Sequence, residues 1–491
     1  MGGLKKFLGG WFQPATGFEL TNWLFLKGLA LVYLAAFLSL TVQIEGLAGA
    51  DGILPFHESL EYGFARYGYG AWLQLPNLFW INSSDLALQG AAIAGGVLAV
   101  LLLLGWCRKR LILIFLFVLY LSLYHAGQIF TNFLWDYLLL ECGFLAIFLA
   151  DGPTPLVIFL YHWLLFRLRF LSGFSKLESG DPSWSGFTAL KYYFETQPLP
   201  HVGAWYAHQL PEWLLRSSVG FTFFAELIVP FFIFLPRRFR LFAAAVTIGM
   251  QLLIIATSNH NFINLLTILL CLFLLDDRIL GKLRPARLRI LQRDLFHPRL
   301  PGPFLKTMTG AAALLVLAVS ATTMYAMLAQ RPLPDALYAL SSLGPRYGIG
   351  NAYHVFPTMQ TERQELQIAG SYDGIRWQPY VFRYKPGALD QPPAFIVPHQ
   401  PRLDWMMWFV PPQGRDLNTW FARFLDALAD NKPPVSDLLA YNPFEGRAPP
   451  RFLRVDAYRY LFTTSEERSQ TGNWWKAEYL GEFPYVPPRN P

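Results

Sequence analysis

Apolar runs recur along the first two-thirds of the chain and stop close to residue 329. Most of them are as long as the roughly 20 residues that a helix needs to cross the hydrocarbon core of a bilayer. Short polar segments separate these runs. The pattern predicts a polytopic α-helical membrane protein with about nine spans, at residues 23–44, 84–106, 111–126, 129–150, 155–174, 213–236, 240–257, 261–276 and 304–328.

The basic residues between the runs indicate an orientation. Lys5 and Lys6 precede the first run, and the clusters at 107–110, 236–240 and 276–300 occupy connections on the same predicted side. On the other side, the connection at 45–83 carries one arginine, Arg66, and residues 258–261 carry no Lys or Arg. Cytoplasmic loops are the ones enriched in Lys and Arg. The alternation therefore predicts a cytoplasmic N-terminus, and the odd number of spans places the C-terminal end outside.

Composition agrees with a membrane protein, since 54% of the residues are hydrophobic and only 15% are charged. Soluble domains contain about 25% charged residues. The net charge of +7 belongs to the short loop clusters, so we expect the lipid bilayer and not nucleic acid as a partner. The three cysteines lie in or beside apolar runs without a metal-binding spacing, so neither a disulfide framework nor a metal site is predicted.

Beyond residue 330 the pattern changes to short alternating segments with prolines and charges. Residues 364–384 predict a hairpin whose turn contains Asp373 and Gly374, and residues 455–464 alternate again. Residues 416–429 predict an amphipathic helix. We therefore expect residues 1–329 to form a helical membrane domain with an outer loop at 175–212, and residues 330–491 a soluble, extracytoplasmic β-rich domain, a β-sandwich.

Several polar residues lie inside the predicted spans, where a charge is costly unless it is paired or functional. The depth of each residue suggests that Asp136 pairs with Arg167 or Arg169, and that the deeper Glu141 and Glu226 form hydrogen bonds in their protonated state. A proton or substrate path is the alternative to structural pairing. The predicted buried polar network consists of Gln128, Asn132, Asp136, Glu141, Arg167, Arg169 and Glu226.

A second set of polar residues gathers in the outer loop and at the outer ends of the spans, and defines a candidate outer-face site. Its alternative is an interfacial segment with Trp and Tyr at the level of the lipid headgroups. No nucleophile elbow, zinc-protease motif or phosphate loop accompanies it. We therefore predict no cofactor and make no catalytic assignment. The outer-face residues are His125, Lys176, Glu178, Asp181, Glu195, His208 and His260.

Ten stretches resemble, in order, the lipase maturation factor family. The resemblance covers nearly the whole chain and implies a polytopic membrane chaperone for secreted lipases. Animal members reside in the endoplasmic reticulum, with a luminal C-terminal region implicated in contacting the client. The stretches are "NFLWDYLLLECGFLAIFLA", "SGFSKLESGDPSW", "YYFETQPLP", "WYAHQLP", "FAELIVPFFIFLPRRFR", "NFINLLTILLCLFLLDD", "GSYDGIRWQPYVFRYKPG", "PHQPRLDWMMWF", "NPF" and "WWKAEYLGE".

A more distant resemblance links "GFSKLESGDPSW" to the membrane region of vitamin K-dependent γ-carboxylases. It implies that Lys176 occupies the place of a catalytic lysine, but an expected Asn-His pair has no counterpart near "LWDYLLLE". Two hypotheses follow: a non-enzymatic maturation factor for an exported lipase or other secreted client, and a carboxylase-like membrane enzyme acting on a quinone or lipid. The compact loops favour a bacterial inner membrane with a periplasmic C-terminal domain; in a eukaryote the equivalent is the endoplasmic reticulum with a luminal one.

Overall fold

The computed structural model describes residues 9–105, 108–282, 300–411 and 419–484. Within these ranges, seven helices are long and apolar enough to cross a membrane. They account for seven of the nine predicted spans. They are α1 (Glu19–Thr41), α5 (Asp85–Leu104), α6 (Lys109–Ala126), α8 (Pro155–Glu178), α12 with its continuation (Glu212–Phe234), α13 (Arg237–Thr257) and α16 (Pro303–Ala329).

Shorter helices occupy the other two predicted spans. Helix α7 (Leu134–Ala146) continues as a 3-10 turn at Ile147–Leu149, and α14 (Ile263–Cys271) continues at Leu272–Leu274. Both are packed on most sides by other helices. The prediction of apolar helices at all nine places is correct, whereas the number of crossings and their direction stay predictions.

The membrane-length helices differ in how much of their apolar part is buried. The apolar part of α8 is 78% buried, compared with 28% for α13 and 33% for α5, α12 and α16. An apolar surface left exposed over a whole helix is what a lipid-facing helix requires. Helix α8 begins where Thr154 caps it and Pro155 occupies its first turn, which is a favourable start for a helix. It therefore passes through the centre of the bundle.

The segments predicted to lie outside form short helices instead of an extended interfacial strip. Tyr193 and Trp205 of the outer loop pack with Phe462 and Trp475 of the C-terminal region. The loop is thus a structured layer between the bundle and the C-terminal sheet. These helices are α2 (Ile44–Ala48), α3 (Phe56–Tyr67), α4 (Ala71–Gln74), α9 (Pro182–Ser185), α10 (Ala189–Thr196) and α11 (Val202–His208). A further short helix, α15 (Asp277–Leu280), begins the connection that was predicted for the opposite side.

The C-terminal region contains one antiparallel sheet in the order β2-β1-β3-β4. The predicted hairpin is present, because Ala369 pairs with Pro379 and Gly374 takes a positive φ of 71° in the turn. The second strand is only two residues long, and a second sheet is not seen in the described part of this region, so a β-sandwich is not confirmed. The strands are β1 (Arg363–Ser371), β2 (Gln378–Pro379), β3 (Phe452–Phe462) and β4 (Trp475–Glu482).

Helices cover this sheet and join it to the bundle. The predicted amphipathic helix is α20, which buries Trp420, Phe421 and Phe424; residues 416–418 of that prediction lie outside the described ranges. The same apolar cluster includes Leu47 and Phe130 from the membrane half of the chain. The two predicted domains therefore share a core, and their division at residue 329 stays a prediction. The remaining helices are α17 (Asp335–Ser341), α18 (Leu343–Tyr347), α19 (Arg402–Met407), α20 (Thr419–Ala429), α21 (Pro433–Ser436) and α22 (Ser465–Thr471).

Candidate functional site

Asp136, in the first turn of α7, forms a buried ion pair with Arg402 of the C-terminal region. The two terminal nitrogens of Arg402 donate to the two carboxylate oxygens at 2.7 and 2.8 Å. Tyr120 donates to the same carboxylate at 2.6 Å, and Arg402 also donates to the Phe130 carbonyl at 2.9 Å. Each side chain of the pair is 1% exposed. A bidentate, fully buried pair of this kind fixes the position of both segments that carry it.

The predicted partner of Asp136, Arg167 or Arg169, was therefore wrong. That prediction considered only charges within the spans and took the fourth span to begin near residue 129. Helix α7 begins at Leu134, and the segment before it is a separate 3-10 turn at Gln128–Phe130. Arg402 enters from a segment that reads as soluble in the sequence, and it takes the place beside Asp136.

The residues next to Arg402 dock onto the membrane helices as well. The Gln400 carbonyl accepts hydrogen bonds from Ser39 at 3.2 Å and from Gln43 at 2.9 Å. Gln43 in turn accepts from the backbone N–H of Arg402 at 2.7 Å, and Asn261 donates to the Gln400 side chain at 3.0 Å. The segment "HQPRLD" is thus the main polar junction between the C-terminal region and the helices.

Glu141 forms a second buried junction. It pairs with Arg167 and accepts hydrogen bonds from the Tyr353 hydroxyl at 2.9 Å and the Gly350 N–H at 3.0 Å. Arg167 also donates to the Asn351 carbonyl at 2.9 Å. Glu141 and Glu226 form the predicted hydrogen bonds, and each carboxylate also lies against basic side chains, which the prediction did not include.

Gln128 and Asn132 do not continue a stripe with Asp136, because both precede α7. Gln128 accepts from Ser59 at 2.7 Å and donates to the Leu54 carbonyl at 2.8 Å. With His125, they line an open cleft of about 760 Å³ that α3 and α20 complete. The predicted network is therefore divided among several places.

Glu226 forms the third cluster, beside the C-terminal half of α8. It lies 3.4 Å from Arg169 and 2.9 Å from Lys176, and Lys176 also donates to the Ser172 carbonyl at 3.1 Å. Glu226 belongs to a π-helical segment at Phe224–Ile228. Such segments are rare and are frequent at functional sites.

A cavity of about 100 Å³ opens onto this cluster. Tyr193 and His260 form part of its wall, with their hydroxyl and Nε2 atoms 2.6 Å apart. Burial, and then the proximity of Lys176 and His201, lower the pKa of His260 to about 4, so this imidazole is neutral at pH 7. Lys176 and His260, which were both predicted for the outer face, therefore line the same cavity.

The other predicted outer-face residues lie elsewhere and serve local contacts. Asp181 accepts from the Ser183 and Met359 N–H groups, each at 2.7 Å, and Glu178 is exposed at the end of α8. Glu195 accepts from the Phe462 N–H at 2.7 Å and lies 3.8 Å from His208. Burial raises the pKa of Glu195 and lowers that of His208, so it opposes charge on both. The seven residues do not converge on a single site.

No group of three or more His, Cys, Asp or Glu side chains in the described ranges is arranged to hold a metal ion. The structure instead buries basic side chains that donate hydrogen bonds. Lys176 and Arg169 lie at the cavity, and Arg402 lies at the junction. These groups can bind an anion or fix a domain.

Gly173→Ala is expected to destabilise the third cluster. An added Cβ on α8 would lie 2.7 Å from the Glu226 Cβ and 2.9 Å from the Leu227 Cγ, so the π-helical segment must move. Overpacking of this kind costs about 1–3 kcal/mol. Scanning fluorimetry of the purified variant measures the loss. Gly249→Ala in α13 is the matched control, since its Cβ meets no atom within 4 Å. Equal melting temperatures for the two variants would contradict the close packing at Gly173.

Comparisons with known proteins match both parts of the chain. Residues 20–282 match the lipase maturation factor transmembrane domain, and residues 349–487 match the lipase maturation factor C-terminal domain. Human lipase maturation factor 2 is 34% identical, over 95% of this chain and 82% of its own length. Mouse lipase maturation factor 1 is 32% identical, over 96% and 87%. No solved structure matches. With both domains matched and relatives of this similarity aligned along almost its whole length, the chain belongs to the lipase maturation factor family.

Proposed function

We propose that this membrane protein helps an exported lipase, or a related secreted client, to reach its active fold. Its family membership supports the role. The structural observation that carries the proposal is the Asp136–Arg402 pair, because it anchors the C-terminal region to the helices. A client that binds the outer surface therefore contacts one continuous surface, and not two domains joined by a linker.

The outer loop and the C-terminal sheet together form the proposed client-facing surface. Trp205 donates to the Thr463 hydroxyl at 3.3 Å, and Arg363 donates to the Glu195 and Pro198 carbonyls at 3.1 and 2.9 Å. These contacts hold the loop against β1 and the end of β3. A rigid surface loses little conformational entropy when a partner binds. This supports a surface that receives a client without rearranging.

The setting proposed for this surface is the periplasmic side of a bacterial inner membrane, with nine crossings and a cytoplasmic N-terminus. In a eukaryotic cell the equivalent is the lumen of the endoplasmic reticulum. The alternation of basic loops supports this orientation.

A deletion strain tests the proposal. We expect loss of the gene to lower the specific activity of an exported lipase while its transcript level is unchanged, because the enzyme is made but does not mature. Complementation with the intact chain should restore the activity. Unchanged specific activity of every exported lipase in the deletion strain would contradict the proposed role.

The second candidate function is a membrane enzyme that acts on a quinone or lipid through Lys176. The observation that favours it is the cavity that opens onto this side chain. The same strain separates the two functions when it carries Lys176→Met, which leaves the Arg169–Glu226 pair in place. Maturation by a folding factor should continue in this strain, whereas an enzyme that depends on the amine would lose all activity.

A further inference from the structure

The cavity beside Lys176 has an unbalanced charge. Its lining includes the side chains of Arg169 and Lys176, which are 8% and 4% exposed, and a single carboxylate, Glu226. His260, the other titratable side chain of basic type in the lining, is neutral at pH 7. The two basic side chains therefore share one carboxylate among the described residues of the wall. Burying a charge in this way is unfavourable unless a partner neutralises it.

The same wall contains three buried nitrogen donors that lack an acceptor in the described part of the chain. They are Arg169 Nε, Gln251 Nε2 and Asn264 Nδ2. Gln251 and Asn264 are each 2% exposed. Buried donors are nearly always satisfied in folded proteins, so these three donors indicate a ligand that accepts hydrogen bonds.

The rest of the lining is apolar, and the cavity lies on the lipid-facing side of the bundle. Leu168, Leu190 and Ile263 contribute hydrocarbon surface. Thr222 and Ile254, on the outer helices α12 and α13, are half-buried at its edge. These two helices bury only 33% and 28% of their apolar part. A ligand that enters between them arrives from the hydrocarbon core.

We propose that this cavity binds the carboxylate head of a long-chain fatty acid, with the alkyl chain extending between α12 and α13 into the bilayer. A monoanion supplies a second negative group for the two basic side chains, and its two acceptor-only oxygens match the unpaired donors. A volume of about 100 Å³ accommodates a carboxylate and the first carbons of one chain. Whole drug-sized ligands occupy roughly 300 Å³ or more, so the remainder of the chain lies outside the cavity. The site is independent of the lipase-maturation role.

Binding of radiolabelled palmitate to the full-length protein in an uncharged detergent tests this assignment, with equilibrium dialysis as the readout. We expect saturable binding at one site. Gln251→Leu combined with Asn264→Leu should weaken it by at least about tenfold, because hydrogen bonds to a charged group are lost. The melting temperature of the ligand-free variant should not fall, since the substitution removes unsatisfied donors. Asn351→Leu is the matched control: its Nδ2 is also buried and unpaired, but it lies outside the cavity.

Competition by other amphiphiles identifies the head group. Monopalmitoylglycerol has a similar chain without a charge and should not displace palmitate, and lysophosphatidylglycerol should displace it weakly. Equal displacement by the uncharged lipid, or stronger displacement by the phospholipid, would overturn the carboxylate assignment. Undiminished palmitate binding by the Gln251/Asn264 variant, or binding that Asn351→Leu impairs as strongly, would overturn the location.

Discussion

Asp136→Asn is expected to destabilise the purified protein by about 3–5 kcal/mol, because it leaves a buried cation without its counter-charge. The Arg402 side chain is 1% exposed and has no access to water. The amide introduced at position 136 retains one oxygen as an acceptor, and its NH2 group faces the donors of Arg402 or Tyr120. Scanning fluorimetry in detergent should show a large fall in melting temperature and a lower yield of folded protein.

Two variants complete this test. Asp136→Leu combined with Arg402→Met removes both charges and should recover much of the lost stability, since well-packed apolar residues often replace a buried pair without cost. Asp151→Asn is the control, because it breaks the exposed Arg110–Asp151 pair, whose side chains are 31% and 43% exposed. Exposed pairs contribute about 0–1 kcal/mol. Equal melting temperatures for Asp136→Asn and Asp151→Asn would contradict the buried pair.

Glu141→Gln is expected to have an effect of similar size, at the second junction. It leaves Arg167 buried without a counter-charge, at a cost of about 3–5 kcal/mol. It also weakens the acceptor for the Gly350 N–H, which the Glu141 carboxylate holds at 3.0 Å. Hydrogen–deuterium exchange should therefore show faster exchange across residues 349–353 than in the unaltered protein.

Tyr353→Phe is the matched control for this junction. It removes the 2.9 Å hydrogen bond from the Tyr353 hydroxyl to Glu141 but leaves the Glu141–Arg167 pair intact. Such a deletion costs about 1–3 kcal/mol when it leaves a buried acceptor unsatisfied, and less where other donors remain. A larger loss for Tyr353→Phe than for Glu141→Gln would mean that the ion pair does not hold this segment.

The membrane helices could be predicted from the sequence because their signal is local. A run of about 20 apolar residues meets the length that a bilayer imposes. The amphipathic helix α20 and the hairpin at Gly374 were equally local, since periodicity and turn chemistry act over a few residues. The C-terminal sheet was overestimated, because β2 contains only Gln378 and Pro379, and the alternating stretch "YVFRY" that follows forms only an isolated bridge at Val381.

The polar pairing could not be predicted in the same way. The residues that matter for Asp136 are Arg402, which is 266 positions away, and Tyr120 on the neighbouring helix. Neither partner follows from spacing within a span. The depth expected for Asp136 assumed one continuous helix from residue 129, whereas Gln128–Phe130 is a separate turn. Gln400 and Arg402 lie in the stretch "PHQPRLDWMMWF", which contributes to the family resemblance. Nothing in that stretch indicated that they contact the membrane helices.

Lys176 could be singled out from the sequence, but only the arrangement of the helices shows the cavity beside it. Lys176, Glu226 and His260 come from α8, the π-helical segment and the connection before α14. The unpaired donors of Gln251 and Asn264 are recognisable only once the surrounding acceptors are known. The sequence thus indicates which polar residues are costly, and the packing decides which of them are satisfied.

The proposed role in lipase maturation requires the C-terminal region to be anchored to the membrane helices. Lipase activity in strains that carry variants of the Asp136–Arg402 pair tests this requirement most directly. The specific activity of an exported lipase is measured in the deletion strain carrying Asp136→Asn, Arg402→Gln or the apolar pair Asp136→Leu with Arg402→Met, at matched protein levels. We expect low activity for each single variant and recovery by the apolar pair, because anchoring and not charge is required. Restored stability without restored lipase activity in the apolar pair would contradict this requirement.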